Sequence, residues 1–145
     1  MRDKKKIGFT CGAFDLCHAG HMLMFAEAKE QCDHLIVGLH TDPALDRPDT
    51  KNKPIMSAEE RRLILEGVRY IDEIVTYDTE ADLYKLLEDN KLGIDVRILG
   101  VEYKDKPFTG RDLPMPVHFN TRDHGYSTTE LRKRVYEAEK AKNRQ

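Results

Sequence analysis

The sequence predicts an α/β fold: an open, doubly wound (Rossmann-like) parallel sheet of five strands with helices on both faces. Apolar runs of strand length alternate with amphipathic segments of helix length, and the connections suit parallel βαβ units. The second apolar run, 34–40, is nearly continuous, as in strands that a parallel sheet buries on both faces. Ligands of such folds bind at the carboxyl ends of the strands.

The first half of the chain supplies two strands, two helices and a polar loop. Residues 7–11 predict a short buried strand, and residues 22–29 predict a helix without internal glycine or proline. The polar, proline-bearing stretch 41–55 predicts a mobile loop after the second strand. Ser57 and Glu60 then form a capping box, which indicates the start of the second helix.

The second half predicts three further strands and two further helices. A second capping-box pattern, Ser127 with Glu130, indicates the start of the last helix, and the charged tail after Ala138 is expected to fray. Pro116 places the fifth strand toward an edge of the sheet. The predicted elements are strands at 73–77, 96–101 and 115–119, a helix over 81–90 and a helix from 128 onward.

Size, charge and cysteine content narrow the class of protein. We expect 1–145 to form a single domain, because 145 residues are enough to bury one core. The net charge of -2 argues against a general nucleic-acid-binding protein. Three cysteines give no disulfide framework, and no apolar run approaches the roughly 20 residues of a membrane span. We therefore expect a cytoplasmic protein that binds neither nucleic acid nor membrane.

The chemistry concentrates in the stretch Gly12–His21, between the first strand and the first helix. Free N–H groups and the positive end of a helix dipole make such a strand-to-helix turn an anion site. Gly12 and Gly20 allow a ligand to approach the main chain closely. His18 and His21 are three residues apart at the helix entrance, so both rings can face one point. The stretch predicts a phosphate-handling site.

Two other interpretations of this stretch are open. Cys11 and Cys17 together with the two histidines could ligate zinc, although their spacing fits no common zinc knuckle. The histidines could also be ordinary structural side chains. The spacing and the strand-to-helix context favour phosphate chemistry over both.

Three further groups are expected to meet at the same crevice. Lysines in the 41–55 loop, Lys51 and Lys53, can close over a polyphosphate, although charged loops are usually only solvated. Arginines and an acid follow in the second helix and after it, at Arg61, Arg69 and Asp72, where some will form surface ion pairs.

The third group lies at the start of the last helix. Arg122 can fork onto phosphate oxygens, and Gly125 permits a tight turn. The hydroxyls and amides of 127–129 offer a second anion site, or simply an N-cap.

These motifs resemble those of the cytidylyltransferases. The first stretch matches the form G-x-F-D-x-x-H-x-G-H at Gly12, Phe14, Asp15, His18, Gly20 and His21. Residues 122–129 resemble the family's R-x-x-G-I-S-T-T signature, with Tyr126 in place of isoleucine. The resemblance runs from about Ile7 to Val135 and is strongest to bacterial glycerol-3-phosphate cytidylyltransferases, whose arginines and acid fall on Arg61, Arg69 and Asp72. It is weakest at 102–116, where only Glu102 remains of the acid-rich stretch that helps read cytosine.

The resemblance implies transfer of CMP from CTP to a small phosphorylated alcohol, such as glycerol 3-phosphate, with release of pyrophosphate. It implies Mg²⁺ bound with the nucleotide and a homodimer as the assembly. Catalysis would fall to four side chains and acceptor binding to two, with a larger set binding the nucleotide. These are, for catalysis, His18, His21, Lys53 and Arg122; for the acceptor, Arg61 and Asp72; for the nucleotide, Thr10, Gly12, Ala13, Phe14, Asp15, Gly20, Lys51, Arg69, Gly100, Glu102, Ser127, Thr128 and Thr129.

Two alternatives accompany this reading. Adenylyltransferases of heptose phosphates and of flavin precursors share the first motif, and the departure around Glu102 weakens the preference for CTP. A nucleotide-binding module without catalysis is the alternative from another class, and it predicts nucleotide binding without pyrophosphate release.

Overall fold

The computed structural model of the protein describes residues 4–49 and 52–144. Their strands are β1 (Ile7–Gly12), β2 (His34–His40), β3 (Glu73–Tyr77), β4 (Val96–Gly100) and β5 (Val117–Asn120). Their α-helices are α1 (Ala19–Glu30), α2 (Ala58–Glu66), α3 (Glu80–Asp89) and α4 (Thr128–Lys142), with short 3₁₀ turns at Pro43–Leu45 and Val101–Tyr103.

The five strands form one parallel sheet in the order β3-β2-β1-β4-β5. At its carboxyl edge Gly12 pairs with Leu39, and Leu39 pairs with Thr76. The ends of β1, β2 and β3 therefore meet at one level, which is where a site is expected in this architecture. The predicted fold class is confirmed.

Each face of the sheet carries its own core, because successive side chains of a strand point to opposite faces. On one face, Phe25 of α1 and Leu65 of α2 are fully buried against Leu35, Val37 and Leu39 of β2. On the other, which we call the α3 face, Leu83 and Leu87 pack on Phe9, Ile36 and Tyr77. Helices thus cover both faces, as predicted.

Three local predictions differ from the structure. β5 begins at Val117, after Pro116, whose carbonyl accepts from the Arg97 N–H. The last helix does not fray after Ala138 but continues to Lys142, where the basic last turn suits the helix dipole. Ser127 caps this helix through the Glu130 N–H, without the reciprocal bond of a full capping box.

No helix of the described ranges is long and apolar enough to cross a membrane.

A buried arginine connects the loops at the carboxyl edge. Arg61 of α2 is 2% exposed and donates from Nε to the Met56 carbonyl at 3.1 Å. Its Nη1 donates to the carbonyls of Ala13 (2.9 Å) and His40 (2.7 Å), and its Nη2 donates to the carbonyl of Thr41. Four of the five N–H groups of the guanidinium are thus used on the main chain of three separate segments.

Asp15 completes this connection. Its two carboxylate oxygens accept the N–H groups of Ile55 (2.8 Å) and Met56 (3.0 Å), just before α2 begins. Burial lowers the pKa of Arg61, while the charges of Asp15 and Asp42 act in the opposite direction. The sequence predicted that Arg61 would bind the acceptor. In the structure its guanidinium is enclosed by backbone carbonyls, which leaves it no surface for a substrate.

Replacing this arginine should destabilise the fold. We expect Arg61→Met to lower the free energy of unfolding by about 3 kcal/mol or more, because buried carbonyls lose their donors. Arg62→Met is the matched control, since Arg62 is an exposed neighbour paired with Glu66, and it should cost about 0.5 kcal/mol or less. Urea denaturation measures both, and equal losses would contradict the role given to Arg61.

Candidate active site

A cavity of about 400 Å³ opens at the carboxyl edge of the sheet. It is bounded by the ends of β1, β2, β3 and β4, by the loop after β2 and by the first turn of α4. The sequence placed the crevice at the end of β1, the loop after β2, the end of β4 and the start of α4, and all four of these segments line the cavity. Residues that line it include Gly12, Ala13, Asp15, His40, Asn52, Pro54, Tyr77, Arg97, Leu99, Thr128 and Thr129.

The two motif histidines form the start of α1. His18 is the N-cap, and its Nδ1 accepts the Gly20 N–H at 3.0 Å. The backbone N–H of His18 in turn donates to Nδ1 of His21 at 3.1 Å. The two ring centroids lie 4.1 Å apart. Each ring is therefore fixed by a hydrogen bond to its Nδ1.

These bonds determine which nitrogen carries the proton. Because Nδ1 of each ring accepts an N–H, the neutral form of each has its proton on Nε2. Burial, followed by the charge of His18, lowers the pKa of His21 to about 4. Burial also lowers the pKa of His18, with smaller contributions from His124 and Arg122. At neutral pH the site holds two uncharged imidazoles, each with one N–H donor.

The start of α4 meets this pair. Nε2 of His18 lies 3.1 Å from Oγ1 of Thr128, so two helix N-termini converge at one point. Thr128 and Thr129 line the cavity, while Ser127 caps α4. Helix N-termini and hydroxyls are the groups that proteins use to hold phosphate oxygens.

Arg122 and His124 border the histidines. Arg122 is exposed, and its Nη2 donates to the Tyr126 carbonyl at 3.1 Å. Arg122 and His124 both contribute to the lowered pKa of His18. His124 accepts the Tyr126 N–H at its Nδ1. Gly20 makes this packing possible, since a Cβ there would lie 2.8 Å from the His18 ring and 3.0 Å from Tyr126.

A family model described as cytidylyltransferase-like matches residues 9–134. The chain belongs to the cytidylyltransferase-like family. The resemblance inferred from the two motifs is thereby confirmed, and the domain is of the nucleotidyltransferase type.

Relatives within this nucleotidyltransferase superfamily include proteins named "Bifunctional protein HldE". The protein of Campylobacter concisus is 36% identical over 138 residues, which cover 95% of this chain and 29% of the relative. That of Wolinella succinogenes is 37% identical over 131 residues, which cover 90% of this chain and 27% of the relative. The chain thus spans less than a third of the length of these relatives.

Solved structures share the fold of this cytidylyltransferase-like domain. A lipopolysaccharide core biosynthesis protein from Thermoplasma volcanium superposes with a TM-score of 0.64 at 23% identity, covering 86% of this chain and 100% of that one. A pantoate-beta-alanine ligase from Francisella tularensis gives a TM-score of 0.52 at 16% identity, covering 94% and 72%. At these identities the likeness concerns the fold alone.

Two residues matched to the family's acceptor and nucleotide sets lie away from the site. Asp72 precedes β3 and accepts the Leu35 N–H at 2.8 Å, at the amino edge of the sheet, and it also pairs with Lys29. Arg69 lies on the same side, exposed and over the ring of Tyr70. Because parallel strands all run from this edge toward the cavity, neither side chain reaches the histidines. These two expectations were wrong in placement.

Other residues of β1 and of the turn after it surround the histidines without lining the cavity. Phe14 is buried, with its ring 5.2 Å from that of Phe25 and edge-on to His21 at 5.7 Å. It adopts a φ of 51°, as does Leu16, in the left-handed region that side chains other than glycine rarely occupy. Thr10 is buried within β1, below the cavity. These residues hold the histidines and the turn, and their predicted nucleotide contacts stay predictions.

The loop lysines and the end of β4 complete the predicted set. Lys51 lies outside the described residues, and Lys53 is exposed between Asn52 and Pro54 of the cavity wall. Glu102 is exposed, and its carboxylate folds back against Gly100, 2.5 Å from where a Cβ would sit.

Three residues in or beside the cavity were not predicted as site residues. Arg97 lies within an apolar run, so its pattern predicts only a buried strand. His124 lies inside the recognised 122–129 stretch, but only the fold brings it close enough to His18 to lower the pKa of that ring. His40, which stacks on Tyr77 with 4.6 Å between ring centroids, ends a strand at the site edge.

The described residues contain no group of three or more histidine, cysteine, aspartate or glutamate side chains placed to hold a metal ion. Asp15, the acid of the motif, has both oxygens occupied by backbone N–H groups. The site therefore offers no carboxylate cage, and a magnesium ion would depend on phosphate oxygens of a nucleotide for its ligands.

The neutral state of His21 should be visible in the pH dependence of stability. Its folded pKa, about 4, lies below the ordinary histidine value of 6.5, so the unfolded chain binds more protons between these values. The contribution of neutral His21 to the free energy of unfolding is complete above about pH 6.5 and is lost as the pH falls toward 4.

His21→Asn tests this linkage, because the amide oxygen can still accept the His18 N–H but cannot titrate. The wild type should lose on the order of 2 kcal/mol more than the variant between pH 7 and pH 4. Urea unfolding at the two pH values measures the difference. Identical losses in both proteins would contradict a depressed pKa for His21.

Proposed function

We propose that this domain transfers a nucleotidyl group from a nucleoside triphosphate to the phosphate of a small phosphorylated sugar or polyol, with release of pyrophosphate. One observation carries the proposal. Two neutral imidazoles with Nε2–H groups lie at the start of α1, against Thr128 of α4, beside the cavity. This arrangement suits a phosphate chain in which negative charge increases during reaction.

The chemistry needs little more than position and charge stabilisation. An oxygen of the acceptor phosphate attacks the α-phosphorus in line, and the new P–O bond replaces the bond to the β-phosphate. Pyrophosphate leaves with the electron pair of the broken bond. Because the attacking phosphate is already ionised near neutral pH, no general base or covalent intermediate is required.

Each part of the site has a role in this step. The Nε2–H groups of His18 and His21 would donate to oxygens of the α- and β-phosphates. Arg122, Lys53 and the amides at the start of α4 would hold the departing pyrophosphate. Neutral donors serve this purpose because they need no proton exchange when the charge develops.

Magnesium is proposed to enter with the nucleotide. Mg²⁺ commonly keeps several waters and binds phosphate oxygens with few protein ligands, and when bound it would neutralise charge on the triphosphate. Asp15 would act on the turn through its bonds to Ile55 and Met56 rather than as a direct ligand.

The identity of the nucleotide is the finer part of the proposal. The R-x-x-G-x-S-T-T ending favours CTP. The position of Glu102 favours ATP, because its carboxylate lies on Gly100 and no pair of acids is present to accept from the cytosine amino group. We place ATP with a sugar phosphate first, and CTP with glycerol 3-phosphate or a similar polyol phosphate second.

The relatives named HldE are described as bifunctional, and the region they share with this chain is 29% of the Campylobacter concisus protein. We propose that this shared region carries nucleotidyl transfer as one of the two activities.

Pyrophosphate release with Mg²⁺ tests the function directly. ATP and CTP are each combined with a panel of sugar phosphates, glycerol 3-phosphate and riboflavin 5′-phosphate. We expect release with ATP and a sugar phosphate, and a loss of about 10²-fold or more in His21→Ala. His34→Ala is the control, because His34 pairs with Glu73 at the amino edge of the sheet.

Each other outcome identifies an alternative. Release only with CTP and a polyol phosphate would make Glu102 sufficient for reading cytosine. Nucleotide binding without release in any combination would favour a binding module. Unchanged turnover of His21→Ala would contradict the role of the histidine pair.

A further inference from the structure

The cavity extends from Thr128, which contacts His18, to the α3 face of the sheet, where it meets a second buried arginine. Arg97 of β4 is 4% exposed, and it lines the same cavity as Thr128 and Thr129. Cys11 and Tyr77, from β1 and β3, line the cavity with it. The proposed phosphate chemistry assigns no role to this end of the cavity.

Arg97 has few partners for a buried cation. Among the described residues, its Nη1 donates to the Thr109 carbonyl and its Nη2 has only the thiol of Cys11, at 3.9 Å. Its Nε is buried and has no hydrogen-bond partner in that part of the chain. The guanidinium also lies over the ring of Phe108, 5.2 Å from the ring centroid. Within residues 4–49 and 52–144 it forms no ion pair with a carboxylate.

The comparison with Arg61 shows how unusual this is. Arg61 is equally buried, but it donates to four carbonyls and lies near the charges of Asp15 and Asp42. A buried charge is costly unless it is paired and hydrogen-bonded. Arg97 lacks such partners, and an anion in the cavity would supply them.

The acids of the cavity wall do not provide that anion. Among the described residues that line it, the carboxylates are those of Asp15 and Glu80. Asp15 accepts two backbone N–H groups, and Glu80 pairs with Arg47 at 2.9 Å. The end of the cavity at Arg97 therefore has unbalanced positive charge, with the Tyr77 ring and the Phe108 ring as walls.

We propose that Arg97 binds the phosphate of the acceptor and so determines which acceptors this domain uses. The inference rests on the proposed function, and it adds the subsite from which the attacking phosphate approaches. A guanidinium matches two phosphate oxygens at once, and a cavity shared with Thr128 connects this subsite to the site of transfer. Acceptors whose anion is a phosphate monoester are therefore preferred over neutral alcohols.

Phosphate binding by the nucleotide-free protein tests the subsite without any turnover. Inorganic phosphate is titrated into the full chain by isothermal calorimetry, with Arg97→Gln as the test variant. Its amide can still donate to the Thr109 carbonyl but carries no charge. We expect the affinity for phosphate to fall about tenfold or more, as loss of a charge-assisted hydrogen bond does.

Arg111→Met is the matched control. Arg111 lies over the same Phe108 ring, at 5.5 Å, but it is exposed and donates to the carbonyls of Lys104 and Lys106. This variant should bind phosphate as the wild type does. Melting temperatures establish that each variant is folded, and Arg97→Met, which keeps the apolar part of the side chain, replaces Arg97→Gln should the latter not fold.

Steady-state kinetics provides a second readout, because a residue that only anchors the loop would not separate the two substrates. We expect the KM for the acceptor to rise about tenfold or more in Arg97→Gln, with the KM for the nucleotide unchanged. Wild-type affinity for phosphate in Arg97→Gln, no phosphate binding by the wild type, or a rise confined to the KM for the nucleotide would each overturn the proposal.

The two proposals fail separately. Phosphate binding that depends on Arg97, without pyrophosphate release in any combination, would contradict the proposed function and leave the anion subsite standing. Pyrophosphate release with an unchanged acceptor KM in Arg97→Gln would support the proposed function and contradict the anion subsite.

Discussion

The guanidinium of Arg61 joins backbone carbonyls of the β1–α1 turn, the end of β2 and the segment before α2. Asp15 ties the same turn to Ile55 and Met56 from the opposite direction. Backbone carbonyls of these loops, which would otherwise need water as a donor, accept hydrogen bonds from the buried guanidinium. The turn that positions His18 and His21 depends on this pair, since Ala13 and Asp15 both belong to it. A charged side chain on α2 is in this way part of the site without contacting a substrate.

The histidines obtain their chemistry from the geometry of a helix start. An N-cap ordinarily accepts an orphan N–H with a hydroxyl or carboxylate, and here the imidazole of His18 does so. His21 accepts the N–H of His18 in return. Both Nδ1 atoms are used in capping, so both Nε2 atoms are left as donors. Burial lowers the pKa of each ring, and this keeps the pair uncharged where a triphosphate would lie. Capping and donor alignment are therefore one arrangement.

The sequence predicted the sheet, both helix faces and the meeting of the two motifs, because apolar periodicity and capping residues are local signals. It could not predict Arg61 as a buried charge, or the groups that surround Arg97 within its buried strand, since the surroundings of both come from segments distant in the chain. Asp72 is a different case: a residue that precedes a parallel strand lies at the amino edge, so the predicted topology already excluded it from the site. Helix α4 continues to Lys142, although fraying was expected after Ala138, because residues of high helix propensity sustain a helix without burial.

The central claim is that His18 and His21 act as neutral donors from Nε2. Long-range ¹H–¹⁵N correlation spectra of the imidazoles at pH 7 report the protonation of each ring nitrogen. We predict that both rings are uncharged, with a protonated Nε2 and an unprotonated Nδ1. An imidazolium, or a proton on Nδ1 of either ring, would contradict it.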